Sequence, residues 1–133
     1  MAKYAASLGV IALIMMALDA LWIGVVAKSI YQQGIGHLMA QSPRLGAAAL
    51  FYAVYALGLV IFVVMPTGEA SNWHMALMRG ALFGFFAYAT YDLTNLATLK
   101  DWPIGLSVLD IAWGSGASAA AAVGGYFAYR WAR

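Results

Sequence analysis

Four apolar stretches, each long enough to cross a bilayer, constrain this chain more than any other feature. Spanning takes roughly 20 apolar residues at 1.5 Å rise per residue. The stretches cover about residues 4–27, 45–65, 75–99 and 103–129. Hydrocarbon supplies no hydrogen-bond partners, so each backbone amide must be satisfied within the protein, and these stretches read as helices. The first is bracketed by Lys3 and Lys28. The second follows Ser42-Pro43-Arg44 and stops before Pro66-Thr67-Gly68, and Arg130 and Arg133 end the fourth. The first stretch is too long for a cleaved signal peptide, and Asp19 interrupts it. The expected fold is all-α: one membrane domain over residues 1–133, a four-transmembrane-helix bundle with both termini on the same side.

Composition supports that class. Of 133 residues, 65% are hydrophobic and only 9% are charged, against about 25% charged in a soluble domain. The net charge of +2 rests on a few Lys and Arg at span ends. That is an orientation signal, not a nucleic-acid footprint, so lipid is the expected partner and nucleic acid is not. Lys3, Arg79, Arg130 and Arg133 fall on the side of the termini; Lys28, Arg44 and Lys100 fall on the other. The bias favours cytoplasmic termini in a multi-pass protein of the bacterial inner membrane. Trp73, Trp102 and Trp131 lie at predicted boundaries, as interface anchors do. There is no cysteine, which rules out disulfides and thiolate chemistry.

The connections are short except for Lys28 to Arg44. There Ile30, Tyr31, Ile35, Leu38 and Met39 alternate with Gln32, Gln33, His37 and Gln41. One reading is an extension of span one followed by an interfacial helix, with Gly34 and Gly36 allowing the bend; the other is an ordinary loop. Asn72-Trp73-His74 opens span three, and Lys100-Asp101-Trp102-Pro103 turns tightly into span four.

Three aspartates lie inside these spans. Asp19 stands about eight residues before the end of span one, Asp92 about seven before the end of span three, and Asp110 about seven after the start of span four. All three ends face the side opposite the termini, so each carboxyl is roughly 10–12 Å below that surface. An ionisable group at such depth costs at least ~2.5–3.5 kcal/mol and marks a functional site by default. Tyr52 and Tyr55 of span two reach the same depth. Tyr88, Asp92 and Asn95 recur at i, i+4, i+7 with Tyr91 adjacent, a stripe that belongs on the bundle interior. Trp22 and Trp113 each follow an aspartate by three residues and share its helix face. These ten residues are the expected ligand- or proton-binding set. The bland alternative is a hydrogen-bond network that only holds the helices in register.

Leu18-Asp19-Ala20-Leu21-Trp22 and Leu109-Asp110-Ile111-Ala112-Trp113 both read L-D-x-x-W. Chance explains so short a match in a Trp-rich chain; read functionally, each helix offers one carboxyl and one indole to a common cavity. No Lys, Arg or His lies in the layer. Three bare carboxyls cannot all ionise in low dielectric: one keeps its proton near neutral pH, or a cation sits among them. Oxygen ligands suit Na⁺, Ca²⁺ or Mg²⁺. His37 and His74 lie in separate connections, which speaks against a zinc or di-iron centre. Neither a bound metal nor a cofactor is assigned. Small residues supply packing faces: Gly80-x-x-x-Gly84 and the run Gly116 to Gly125. Such faces serve close helix approach within the bundle, or a homodimer seam.

The segments YDLTNLATLKDWP (Tyr91–Pro103) and LDIAWG (Leu109–Gly114) resemble a family of small bacterial membrane proteins catalogued as domain of unknown function 2177. LDALWIG, FYAVY and GALFGFFAYATYDLTNLAT are similar to it too, so the resemblance covers nearly the whole chain. It implies a single four-helix unit and brings no reaction, ligand or catalytic residue. Three functions fit the residues: an intramembrane site for a small cation, proton or amine-bearing ligand; an enzyme acting on a lipid or isoprenoid, with aspartate as general acid or base; or a non-catalytic subunit of a larger membrane complex. The acid layer favours the first.

Overall fold

The computed structural model describes residues 1–133. The chain is all-helical, and three of its helices are long and apolar enough to cross a membrane. These are α1 (Ala2–Val26), α3 (Leu45–Thr67) and α5 (Ile104–Ala132). Between them lie α2 (Lys28–Ile35) and α4 (Trp73–Thr98). At 26 residues α4 is as long as the others but more polar. Three of its threonines explain part of that polarity: the Thr90, Thr94 and Thr98 hydroxyls donate to the carbonyls of Phe86, Thr90 and Thr94. Each is thereby satisfied by its own helix while facing outward.

Two helices widen locally. α1 ends in a π-helical turn, Trp22–Val26, and α3 contains another, Val60–Val64. Such turns cluster at functional sites. The second one also corrects a boundary. Pro66 reads in sequence as the stop of the second span, yet Met65–Thr67 remain helical. The i→i+5 bonding of the π turn shifts the ladder just ahead of the proline, whose missing N–H then interrupts little.

Helix α5 is the centre of the molecule. Along its length it packs against α4 on one side and α1 on the other. Small residues permit this: Gly114, Ala117, Ser118, Ala121, Ala122 and Gly125 are all buried. Gly80 and Gly84 are buried against it, and a Cβ on either would strike Ser118. The homodimer seam through Gly80 and Gly84 is therefore corrected: both face the chain's own α5. Below the aspartate layer Ile11, Met15, Leu59, Val63, Ala121 and Tyr126 form the apolar core.

One end of the molecule is tied by charge. Glu69, in the α3–α4 turn, accepts from Tyr129 at 2.7 Å and Arg133 at 2.9 Å, and lies 3.7 Å from Lys3. The Tyr129 hydroxyl, then Lys3 and Arg133, hold the Glu69 carboxyl below its ordinary range. At the α4 start, Asn72 accepts from the His74 amide at 3.1 Å, an N-cap.

Candidate functional site

The opposite half of the molecule holds a cavity of about 470 Å³. That is within the range of small-molecule sites, roughly 300–1,000 Å³. Every helix contributes to its wall. Asp19 and Trp22 come from α1, Tyr52 and Tyr55 from α3, Tyr88, Tyr91 and Asp92 from α4, Asp110 and Trp113 from α5. Of the ten residues expected from sequence, only Asn95 lies outside the lining. It shares the face of Asp92 but sits a turn nearer the helix end, where its carbonyl accepts from the Leu99 amide. Past the end of α4, Trp102 packs edge-on against Tyr91, with centroids 5.9 Å apart.

The two L-D-x-x-W stretches meet, and their partners cross. The Trp22 and Trp113 rings stack at 4.5 Å with planes 4° apart. Trp113 of α5 donates its Nε1–H to Asp19 Oδ1 of α1 at 3.2 Å. Trp22 of α1 donates to the Tyr31 hydroxyl at 3.2 Å, which donates to Asp110 Oδ1 of α5 at 2.7 Å. Tyr52 completes the Asp19 side, donating to Oδ2 at 2.8 Å. Each indole thus serves the carboxyl of the other stretch, one directly and one through a phenol. Deeper in, Tyr55 and Ser118 share a hydrogen bond at 2.6 Å. Gly114 is required here: a Cβ on it would collide with the Tyr88 ring, which forms part of the wall.

Asp92 is different. It is fully buried, and neither Oδ1 nor Oδ2 has a hydrogen-bond partner. The Asp110 carboxyl lies beside it. Buried polar groups are nearly always paired, and a charged one without a partner is costly. Two adjacent carboxyls also repel unless a proton or a cation lies between them. No Lys, Arg or His lines the cavity.

A family profile described as "Predicted membrane protein (DUF2177)" matches residues 4–127. The chain belongs to this family. The match includes every lining residue of the cavity. No curated protein and no solved structure matches the chain.

Two of the lining residues that the expected set lacked carry a polar group, Tyr31 and Trp102. Tyr31 lies in the long connection, which the sequence left open between a helical extension and an ordinary loop. The connection is in fact helical over Lys28–Ile35, and Tyr31 and Ile35, four apart, both face the cavity. The signal was present as that i, i+4 pair. Burial and then the bond to Asp110 push the Tyr31 phenol above its ordinary range, so it remains a donor. Trp102 is the other. Sequence placed it as an interface anchor, whereas it lines the cavity and its Nε1 is buried without a partner. Position at a span end carries no information on which way a ring turns.

The chemistry available is narrow. Aromatic faces surround three acids, and no base accompanies them. Aromatic faces attract cations through the ring quadrupole, more strongly when water is excluded. The acids do not converge with other His, Asp or Glu as a metal-ligand group. Two of the three are already engaged by phenol and indole donors, whereas Asp92 has only the Asp110 carboxyl beside it.

Proposed function

We propose that this protein is a multi-pass protein of the bacterial inner membrane that binds an amine-bearing ligand in its aspartate layer. The observation that carries the reading is Asp92: a buried acid at the cavity wall with no phenol, indole or amide donor, only the Asp110 carboxyl beside it, and no basic side chain in reach. An ammonium offers three donors and a full charge, which complements that acceptor. The aromatic wall adds cation–π attraction. Fixed partners on Asp19 and Asp110 keep those two carboxyls oriented and reserve the third.

The topology proposed with it has four transmembrane helices in one unit, with both termini in the cytoplasm. In favour of α4 as the fourth span are its 26-residue length and its self-satisfied threonines. The meeting of Lys3 and Arg133 at Glu69 supports a shared side for the termini.

Titration of ethylammonium into the purified protein in lipid nanodiscs tests the ligand class. Saturable binding at one site per chain, abolished in Asp92→Asn with folding retained, is the expected result. Equal binding by wild type and Asp92→Asn would refute it.

A further inference from the structure

The walls of the cavity decide what reaches Asp92. Toward the surface the cavity is covered. Helix α2 lies across it, held by the Tyr31–Asp110 bond and by Gly34 seated against Pro103 and Leu106. Below the layer, the apolar core closes it. On two sides α5 packs tightly with α1 and α4. The remaining wall lies between α3 and α4. Over Leu45–Leu59 the α3 backbone packs chiefly on α1; only from Val60–Val64 does it close on α4 and α5. The upper halves of α3 and α4 thus stand apart, bridged lower down by Tyr55 against Phe83 at 5.3 Å and Tyr88 at 6.1 Å. The lining residues there are exposed: Phe51 by 41% and Tyr91 by 55%. Ala48 and Ala87, the small lining residues on the two facing helices, leave the slot wide.

We infer that the cavity opens sideways into the bilayer between α3 and α4, and that its ligand is a single-chain alkylamine. The ammonium lies against Asp92 and the hydrocarbon tail passes out through the slot into lipid. This rests on the amine reading given above and names its source. Carboxyls without bases select a cationic head, and the adjacent Asp92 and Asp110 carboxyls, which repel unless a donor lies between them, select one with N–H donors, a primary amine over a quaternary one. A phosphate headgroup finds no cation in the cavity and is disfavoured beside three acids. The slot opens at the depth of the layer, inside the hydrocarbon that an alkyl chain already occupies. Keeping the tail in lipid removes any need for a cavity long enough to hold it.

The experiment compares dodecylammonium with ethylammonium by calorimetry in phosphatidylcholine nanodiscs, with partitioning into empty discs subtracted. Dodecylammonium is expected to saturate at one per chain and to bind at least tenfold more tightly. Ala87→Trp, which fills the slot from α4, should cut the preference for dodecylammonium over ethylammonium at least tenfold. Ala48→Trp repeats the block from α3, a separate helix, in case one variant does not fold; a wild-type helical circular dichroism spectrum certifies the fold of either. Equal affinity of the two amines, or an unchanged preference for dodecylammonium in a variant with that spectrum, overturns the sideways entry while the amine site stands. Failure of both amines to bind wild type overturns the amine reading itself, and this inference with it.

Discussion

Replacing Asp92 by leucine should make the ligand-free protein more stable, and replacing Asp19 by leucine should do the reverse. The two acids occupy one layer, so depth alone predicts the same sign for both. Their partners differ. Asp19 accepts from Tyr52 at 2.8 Å and Trp113 at 3.2 Å. Hydrogen bonds to charged groups contribute ~1.5–3 kcal/mol each, so losing two of them costs about 3 kcal/mol or more. Asp92 has no such bond to lose. A buried group left unsatisfied costs ~1–3 kcal/mol, and Asp92→Leu removes that cost together with the repulsion from Asp110. The larger side chain has room, since the site borders a cavity of about 470 Å³. The assay is reversible unfolding in mixed micelles against rising dodecyl sulfate, followed by the fluorescence of the stacked Trp22–Trp113 pair. A gain of about 1–3 kcal/mol for Asp92→Leu, roughly a five- to 150-fold shift in the folding equilibrium, accompanies complete loss of amine binding. A loss of more than about 1 kcal/mol would show that Asp92 holds helices together, and the argument for a ligand would fail at its first step.

Three further outcomes are expected. Tyr31→Phe breaks the link from Trp22 to Asp110 and should cost about 1–2 kcal/mol, seen locally as faster amide exchange over residues 28–38 with little change in α1 or α5. Gly114→Ala drives a methyl group into the Tyr88 ring and should lower stability by about 1–3 kcal/mol, the usual range for overpacking; Tyr88→Ala in the same chain should restore most of it, and no rescue would mean that the collision is not the cause. The folded Glu69 carboxyl lies below its ordinary value, so its contribution is full above about pH 4.3, the unfolded value, and is lost as pH falls through the lower folded one; wild type should be more heat-stable than Glu69→Gln at pH 7 and indistinguishable from it near pH 3.

The shared level of the three acids was the most legible property of the site, and all three line one cavity. Counting residues from span ends put Asp19, Asp92 and Asp110 in one layer, because helix rise is constant and span ends are marked by charge and proline. The helical class was legible for the same reason, since hydrocarbon tolerates so few backbone arrangements. Pairing was not legible. Nothing in L-D-x-x-W tells that Trp113 serves Asp19, because partner choice depends on the rotation of α1 against α5, which small residues along α5 decide. Tyr31 was hidden by a different limit: a short amphipathic helix has no fixed direction until Gly34 finds Pro103 and Leu106. Asn95 illustrates the converse. Helical periodicity gave its face correctly, and a single turn of height kept it from the cavity lining.

The central position of α5 has a consequence for how the chain is made. It leaves the ribosome after α1 and α4, yet both pack on it. Until α5 arrives, Asp19 must enter the membrane without Trp113, and Asp92 without Asp110 beside it. The translocon has to accept α1 on the strength of its most apolar stretch, mean hydropathy 2.3, although a charge costs ~2.5–3.5 kcal/mol at mid-helix. A chain truncated before Pro103 would leave Gly80, Gly84 and Ile11 facing lipid with no helix to receive them. Such fragments offer quality-control proteases exposed intramembrane acids and loose helices, so nonsense lesions late in the gene should remove the protein as completely as early ones.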